Sequence, residues 1–166
     1  MDQVSFELPE LDRKKTQAAV EAALEKYRIF KTITFDEREA NITSSSTERF
    51  HGPTNVTSDQ TADIAIHNVY VPQARQQYCE KVERAVNKLY PRERLLIQER
   101  YMKDETVTDM KVYNFIFNPQ ISKDLYAKIR WMAFYRLAFN LDYFKIIDVK
   151  KLLNSPPNDE HAEDDS

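Results

Sequence analysis

The 166-residue sequence contains a single glycine, Gly52, and a single cysteine, Cys79. One glycine excludes Gly-rich phosphate loops, a nucleophile elbow and any architecture needing many positive-φ turns, and leaves helices joined by polar links. One cysteine excludes an intramolecular disulfide and a cysteine-based zinc set; it reads as a small, partly buried hydrophobe. Neither a signal peptide nor a long apolar run is present, so the sequence predicts a protein of the reducing cytoplasm that makes no membrane contact. Histidines are scarce too. His51, His67 and His161 are spread over a loop, a short helix and the tail, so the sequence implies neither metal nor cofactor. Acidic pairs such as Glu21/Glu25 and Glu37/Glu39 have no nucleophile or phosphate loop beside them, and no enzymatic chemistry is expected.

What is abundant is apolar and charged in balance: 42% hydrophobic and 31% charged residues, a globular composition. The net charge of −3 conceals a division along the chain. Residues 1–80 carry −4, Lys81–Lys151 carry +6, and Asp159–Asp165 carry −5. The positive charge is confined to one segment, the electrostatic footprint of a surface that meets polyanions.

The first amphipathic pattern runs from Asp12 to about Lys31, with Val20, Ala23, Leu24, Tyr27 and Phe30 at three- and four-residue spacing. Asp12 suits the N-cap, but Arg13, Lys14 and Lys15 oppose the helix dipole and have no helical rationale. They read as a solvated first turn or as an arm near phosphate or a partner. Residues 34–58, rich in Ser, Thr and Asn with Gly52-Pro53, read as a linker. The helix before it is therefore separable, free to pack back or to join a second subunit in a homo-oligomer. A short helix is expected from Ser58 to Asn68, broken by Val71-Pro72, with Pro72 opening the next, whose stripe is Tyr78, Val82, Ala85, Val86 and Leu89.

Beyond Leu89, Pro91 at a helix start, Glu93 in its first turn and the apolar run Leu95, Leu96, Ile97, Tyr101 and Met102 signal a helix. Thr106-Val107-Thr108-Asp109 has capping-box spacing, after which Met110, Tyr113 and Phe117 share a face. Asn118-Pro119 stops that helix. A third runs from about Ser122 to Leu141. Three helices with a turn before the longest form a helix-turn-helix pattern. A 100° step places Tyr126, Ile129, Ala133 and Leu137 on the buried side and Asp124, Ala127, Lys128, Trp131 and Tyr135 opposite. Lys123 projects from the first turn, and Arg130 and Arg136 lie at the margins within reach of phosphate. Trp131 and Tyr135 need a partner there: a base, a sugar, another protein, or the segment Tyr143–Leu153.

Four stretches in order, LPELDRKKT (8–16) with VEAALEKY (20–27), RAVNKL (84–89), Glu93-Arg94 with Arg100-Tyr101, and residues 126–138, give the chain a resemblance. It resembles the ArpU-type phage transcriptional regulators, which control late genes and whose C-terminal half is similar to sigma-factor region 4. The resemblance implies that Lys123, Asp124, Ala127 and Lys128 face bases from the recognition helix. Two features depart from the pattern: the long Phe115–Ile121 link with Asn-Pro, and Trp131-Met132 where polar residues are usual.

The expected architecture is all-α. It comprises a helical arm (1–33), a linker (34–58), a helical DNA-binding domain (59–153) with a sigma region 4-like helix-turn-helix at about 90–141, and a disordered acidic tail (154–166). The expected function is a cytoplasmic, sequence-specific regulator that binds double-stranded DNA at late promoters, most simply an activator acting with host RNA polymerase. Two rival readings keep the fold: a sigma-like polymerase-binding adapter, and a DNA-recognition subunit of a phage packaging motor.

Overall fold

A computed structural model describes residues 7–33 and 59–154, and of residues 59–70 the backbone alone. The linker and nearly all of the expected tail lie outside these residues, as do His51 and His161. The described chain is all-α, with no strand among its elements.

Helix α1 spans Arg13–Thr32, and Asp12 caps it as its spacing predicts, the side chain accepting from the Lys15 amide at 2.8 Å. Val20, Ala23, Leu24 and Tyr27 are buried and Phe30 packs on the core. The helix is thus packed back into the bundle, against α2 (Asp59–Asn87), the long C-terminal helix α5 (Lys123–Tyr143) and the turn Gln98–Met102.

Helix α2 corrects the expected break at Val71-Pro72: one helix runs through Pro72 from Asp59 to Asn87. An interior proline removes one backbone bond and crowds the preceding turn, at about 3 kcal/mol. Its neighbours keep helical geometry because the C-terminal half is anchored by Cys79, Val82, Ala85 and Val86, all buried. Burial pushes the Cys79 thiol above its ordinary range, which keeps it protonated and unreactive.

Helix α3 (Pro91–Ile97) begins on its proline and continues as a π turn over Gln98–Met102. Helix α4 is a single turn, Asp109–Lys111, followed by a second π turn, Val112–Ile116. The cap expected at Thr106 sits two residues later: the Thr108 hydroxyl accepts from the Lys111 amide at 3.3 Å, while the Thr106 amide donates to Asp104. The face expected of Met110, Tyr113 and Phe117 also changes. Met110 is exposed, and Val112 and Phe117 are the buried residues. The Phe117 amide donates to the Val112 carbonyl, a five-residue step that an α-helical wheel does not contain.

Helix α5 passes through the middle of the bundle, with Phe134, Leu137 and Leu141 among the largest fully buried side chains. Its end is closed by Lys145 at φ 61, a left-handed position that a glycine-poor sequence fills with lysine. A 3-10 turn, Val149–Leu152, brings the chain back to its start, where Leu11 bridges Leu153.

Candidate nucleic-acid interface

Ser122 starts α5, its hydroxyl accepting from the Leu125 amide at 3.2 Å. The preceding turn is held by Phe117, which is buried, and by the Ile121 amide donating to the Tyr113 carbonyl at 3.1 Å. The elements packed around α5 cover its C-terminal half, so from Ile129 to Asp142 only Met132 is exposed. The first two turns differ. Lys123, Asp124, Ala127 and Lys128 are all exposed there, while Tyr126 between them is buried. All four are accessible at the start of the helix, Asp124, Ala127 and Lys128 as the wheel expects and Lys123 from the first turn, with Leu125 also exposed beside them. The buried side is wider than the wheel suggests: Tyr126, Ala133 and Leu137 are joined by Phe134, Ala138 and Leu141, and Ile129 is half-buried.

The two marginal arginines are ion-paired within the chain. Arg130 donates to Asp109 Oδ2 at 2.8 Å, while Arg100 Nε and the Tyr126 hydroxyl each donate to Asp109 Oδ1 at 2.8 Å. One carboxylate on α4 thereby holds α5 and the π turn after α3, fixing the angle between the successive helices across the Asn118-Pro119 link. Burial and the Asp109 hydrogen bond push the Tyr126 hydroxyl far up, so it stays a donor. Arg136 pairs with the buried Glu93 of α3, and its guanidinium stacks 4.5 Å over the Tyr90 ring.

Trp131 and Tyr135 find their partner at the other end of the sequence. The Tyr135 hydroxyl donates to the Pro9 carbonyl at 2.8 Å, and the Arg13 guanidinium lies 4.6 Å above the Trp131 ring. The segment Tyr143–Leu153, offered by the sequence as their cover, instead supports that cover. The Asp12 amide donates to the Leu152 carbonyl at 2.7 Å and the Asn154 amide to the Glu10 carbonyl at 3.3 Å. Arg13 is the residue that sequence reasoning left without a role. Its signal was a basic first turn set against the helix dipole.

The surface between these groups holds three adjoining depressions that share lining residues and together form a shallow groove. One depression of about 450 Å³ is lined by Leu8, Arg13, Trp131, Met132 and Tyr135 among others, a second by Arg13, Ala127, Lys128, Trp131 and Met132. A third, apolar cleft adds Tyr90, Arg92 and Ile129 to Lys128 and Met132. The groove therefore joins the exposed start of α5 to the N-terminal segment, with Arg13, Lys128 and Arg92 along it.

Among the described residues no cluster of His, Cys, Asp and Glu is arranged to hold a metal ion, and no helix is long and apolar enough to cross a membrane. No family model matches the chain, and no solved structure matches it. The chain is 26% identical over 137 residues to an uncharacterized phage-related protein of Listeria innocua, a match spanning 82% of this chain and 94% of that protein. This similarity supports a phage relation for the chain.

Proposed function

We propose that the chain is a sequence-specific DNA-binding regulator of phage late genes, reading the major groove with the first two turns of α5 and acting with the host RNA polymerase. The observation that carries this reading is the gathering of α5's exposed side chains, Met132 and Tyr143 apart, in its first two turns. A helix buried by three neighbours along most of its length presents Lys123, Asp124, Ala127 and Lys128 together at its free N-terminal end. A recognition helix contacts base edges from that end. The helix before it is short, the turn between them is tightly bonded, and Asp109 sets their angle. The +6 charge of Lys81–Lys151 supplies attraction to phosphate.

In this reading Lys123 and Lys128 donate to guanine, Asp124 accepts from a cytosine amine or steadies a lysine, and Ala127 leaves room for a thymine methyl. Each well-made base contact discriminates by about 1–3 kcal/mol. Arg13 and Arg92 flank the helix as phosphate contacts. The similarity to a phage-related protein supports the setting.

Selection of duplexes from a random pool by the full chain tests the reading. An enriched motif is expected, bound with steep salt dependence. Lys123→Ala and Lys128→Ala should each relax preference at their own base position, and Arg92→Ala should weaken binding to all sequences alike. Absence of a motif, or a motif unchanged in both lysine variants, rules out α5 as the reader.

A further inference from the structure

The groove along Trp131 ends where the described chain ends. Asn154 stands on its rim beside Trp131 and Tyr135, held by its amide to the Glu10 carbonyl. Beyond Asn154 the sequence reads SPPNDEHAEDDS (155–166), two adjacent prolines and then five carboxylates. We propose that this C-terminal segment docks in the groove, its prolines against the aromatic wall and its acids at Arg13 and Lys128, and so competes with DNA for the start of α5.

Three features of the molecule support this occupant. A Pro-Pro pair favours the extended polyproline conformation, which aromatic-lined grooves bind at little entropic cost, and Trp131, Tyr135 and Leu8 form such a wall. The charges are complementary: Arg13 and Lys128 border the floor, and Glu10, the acid on the same rim, leaves their sum positive. The reach also fits. At roughly 3.1 Å per extended residue, Asp159 and Glu160 lie about 15–19 Å of chain from Asn154. Tyr135 and Lys123 are separated by roughly 18 Å along α5, so the acidic run spans the surface proposed to read bases. Tethering raises the segment's effective concentration to roughly the millimolar range, enough for a weak contact to be populated.

Trp131 is the only tryptophan and reports the docking directly, without DNA. The full chain is compared with a full-length variant in which Asp159, Glu160, Glu163, Asp164 and Asp165 are replaced by Asn or Gln. Acrylamide should quench Trp131 more strongly in the neutralised variant, and a synthetic peptide of residues 155–166 should restore protection to it. Equal quenching in both chains, with no effect of the peptide, overturns the docking. Protection that falls on dilution assigns the groove to the tail of a second copy and overturns the intramolecular contact. The competition rests on the DNA-binding reading and is measured separately. The neutralised chain should bind random-sequence duplex about tenfold more tightly at low salt, the gain vanishing at high salt. A quenching difference without any gain in affinity overturns the competition while leaving the docked segment. Failure of both chains to bind duplex overturns the DNA reading instead.

Discussion

Glu93 and Asp109 are both acids in the first turn of a helix, where they complement the helix dipole, but their partners give them different work. Asp109 is part-exposed and shares its two oxygens among three donors. Glu93 is only 6% exposed, its partner is Arg136, and its second oxygen is buried without a hydrogen bond among the described residues. Removing one member of a fully buried pair costs about 3–5 kcal/mol, and less where, as here, the Arg136 side chain is 37% exposed and solvent screens it. Arg136→Ala is therefore expected to lower the unfolding free energy by about 1–3 kcal/mol in urea titrations, and Glu93→Gln in that background to recover most of the loss. Unchanged stability together with weakened DNA binding would instead place Arg136 on phosphate. These pairings were illegible in the sequence for a plain reason. Local spacing shows what a carboxylate does within four residues, whereas Arg136 is 43 positions from Glu93 and Arg130 is 21 from Asp109. The exposed quartet Lys123, Asp124, Ala127 and Lys128 was legible, because those positions depend on one helical period and a cap.

Three helix starts written in capping chemistry fall where expected, Asp12 before α1, Pro91 at α3 and Ser122 before α5, while the cap expected at Thr106 sits at Thr108. Those that depend on packing do not. The two π turns shift the buried face to Val112 and Phe117, a period that binary patterning does not represent, and α2 accommodates a proline because the bundle anchors the C-terminal half of that helix. An interior proline still costs its helix a hydrogen bond, so Pro72→Ala restores a donor and removes a clash. Part of the gain is offset by the freer unfolded chain. The expected outcome is an unfolding free energy higher by about 1–3 kcal/mol, read as a raised thermal midpoint with more helical ellipticity. A lower midpoint would mean that the chain breaks at Pro72, as local sequence alone suggests.

At the scale of the molecule, the bundle is tied together by tyrosine hydroxyls that cross between elements. Tyr27 of α1 donates to Glu83 of α2 at 2.8 Å, Tyr78 of α2 donates to the Ala23 carbonyl of α1 at 2.8 Å, and Tyr126 of α5 donates to Asp109. Tyr101, buried against Phe134, points its hydroxyl at Glu21. The sequence marks these residues as apolar stripes and is silent on their hydroxyls, since each partner lies on another helix; the packing of α1 escaped it for the same reason. Burial, the largest cause in each case, pushes Tyr78 and Tyr101 up to about 12 and Tyr27 and Tyr126 further. Hydrogen bonds to carboxylates add to the shift in Tyr27 and Tyr126. The folded state therefore holds these protons more tightly than the unfolded chain, whose tyrosines titrate near 10. The stability this contributes is fully present below pH 10 and is lost as pH rises toward the folded values. Between pH 10 and about 12 each of the four should lower the unfolding free energy by up to about 1.4 kcal/mol per pH unit. Urea midpoints at pH 9, 10 and 11, followed together with tyrosinate absorbance, should fall steeply above pH 10, with four tyrosines ionising only as the chain unfolds. Tyr78→Phe and Tyr126→Phe remove two of those protons from the linkage and should flatten the alkaline limb. A midpoint that stays level to pH 11, or one whose slope is untouched by both substitutions, would show that the hydroxyls do not tie the helices together.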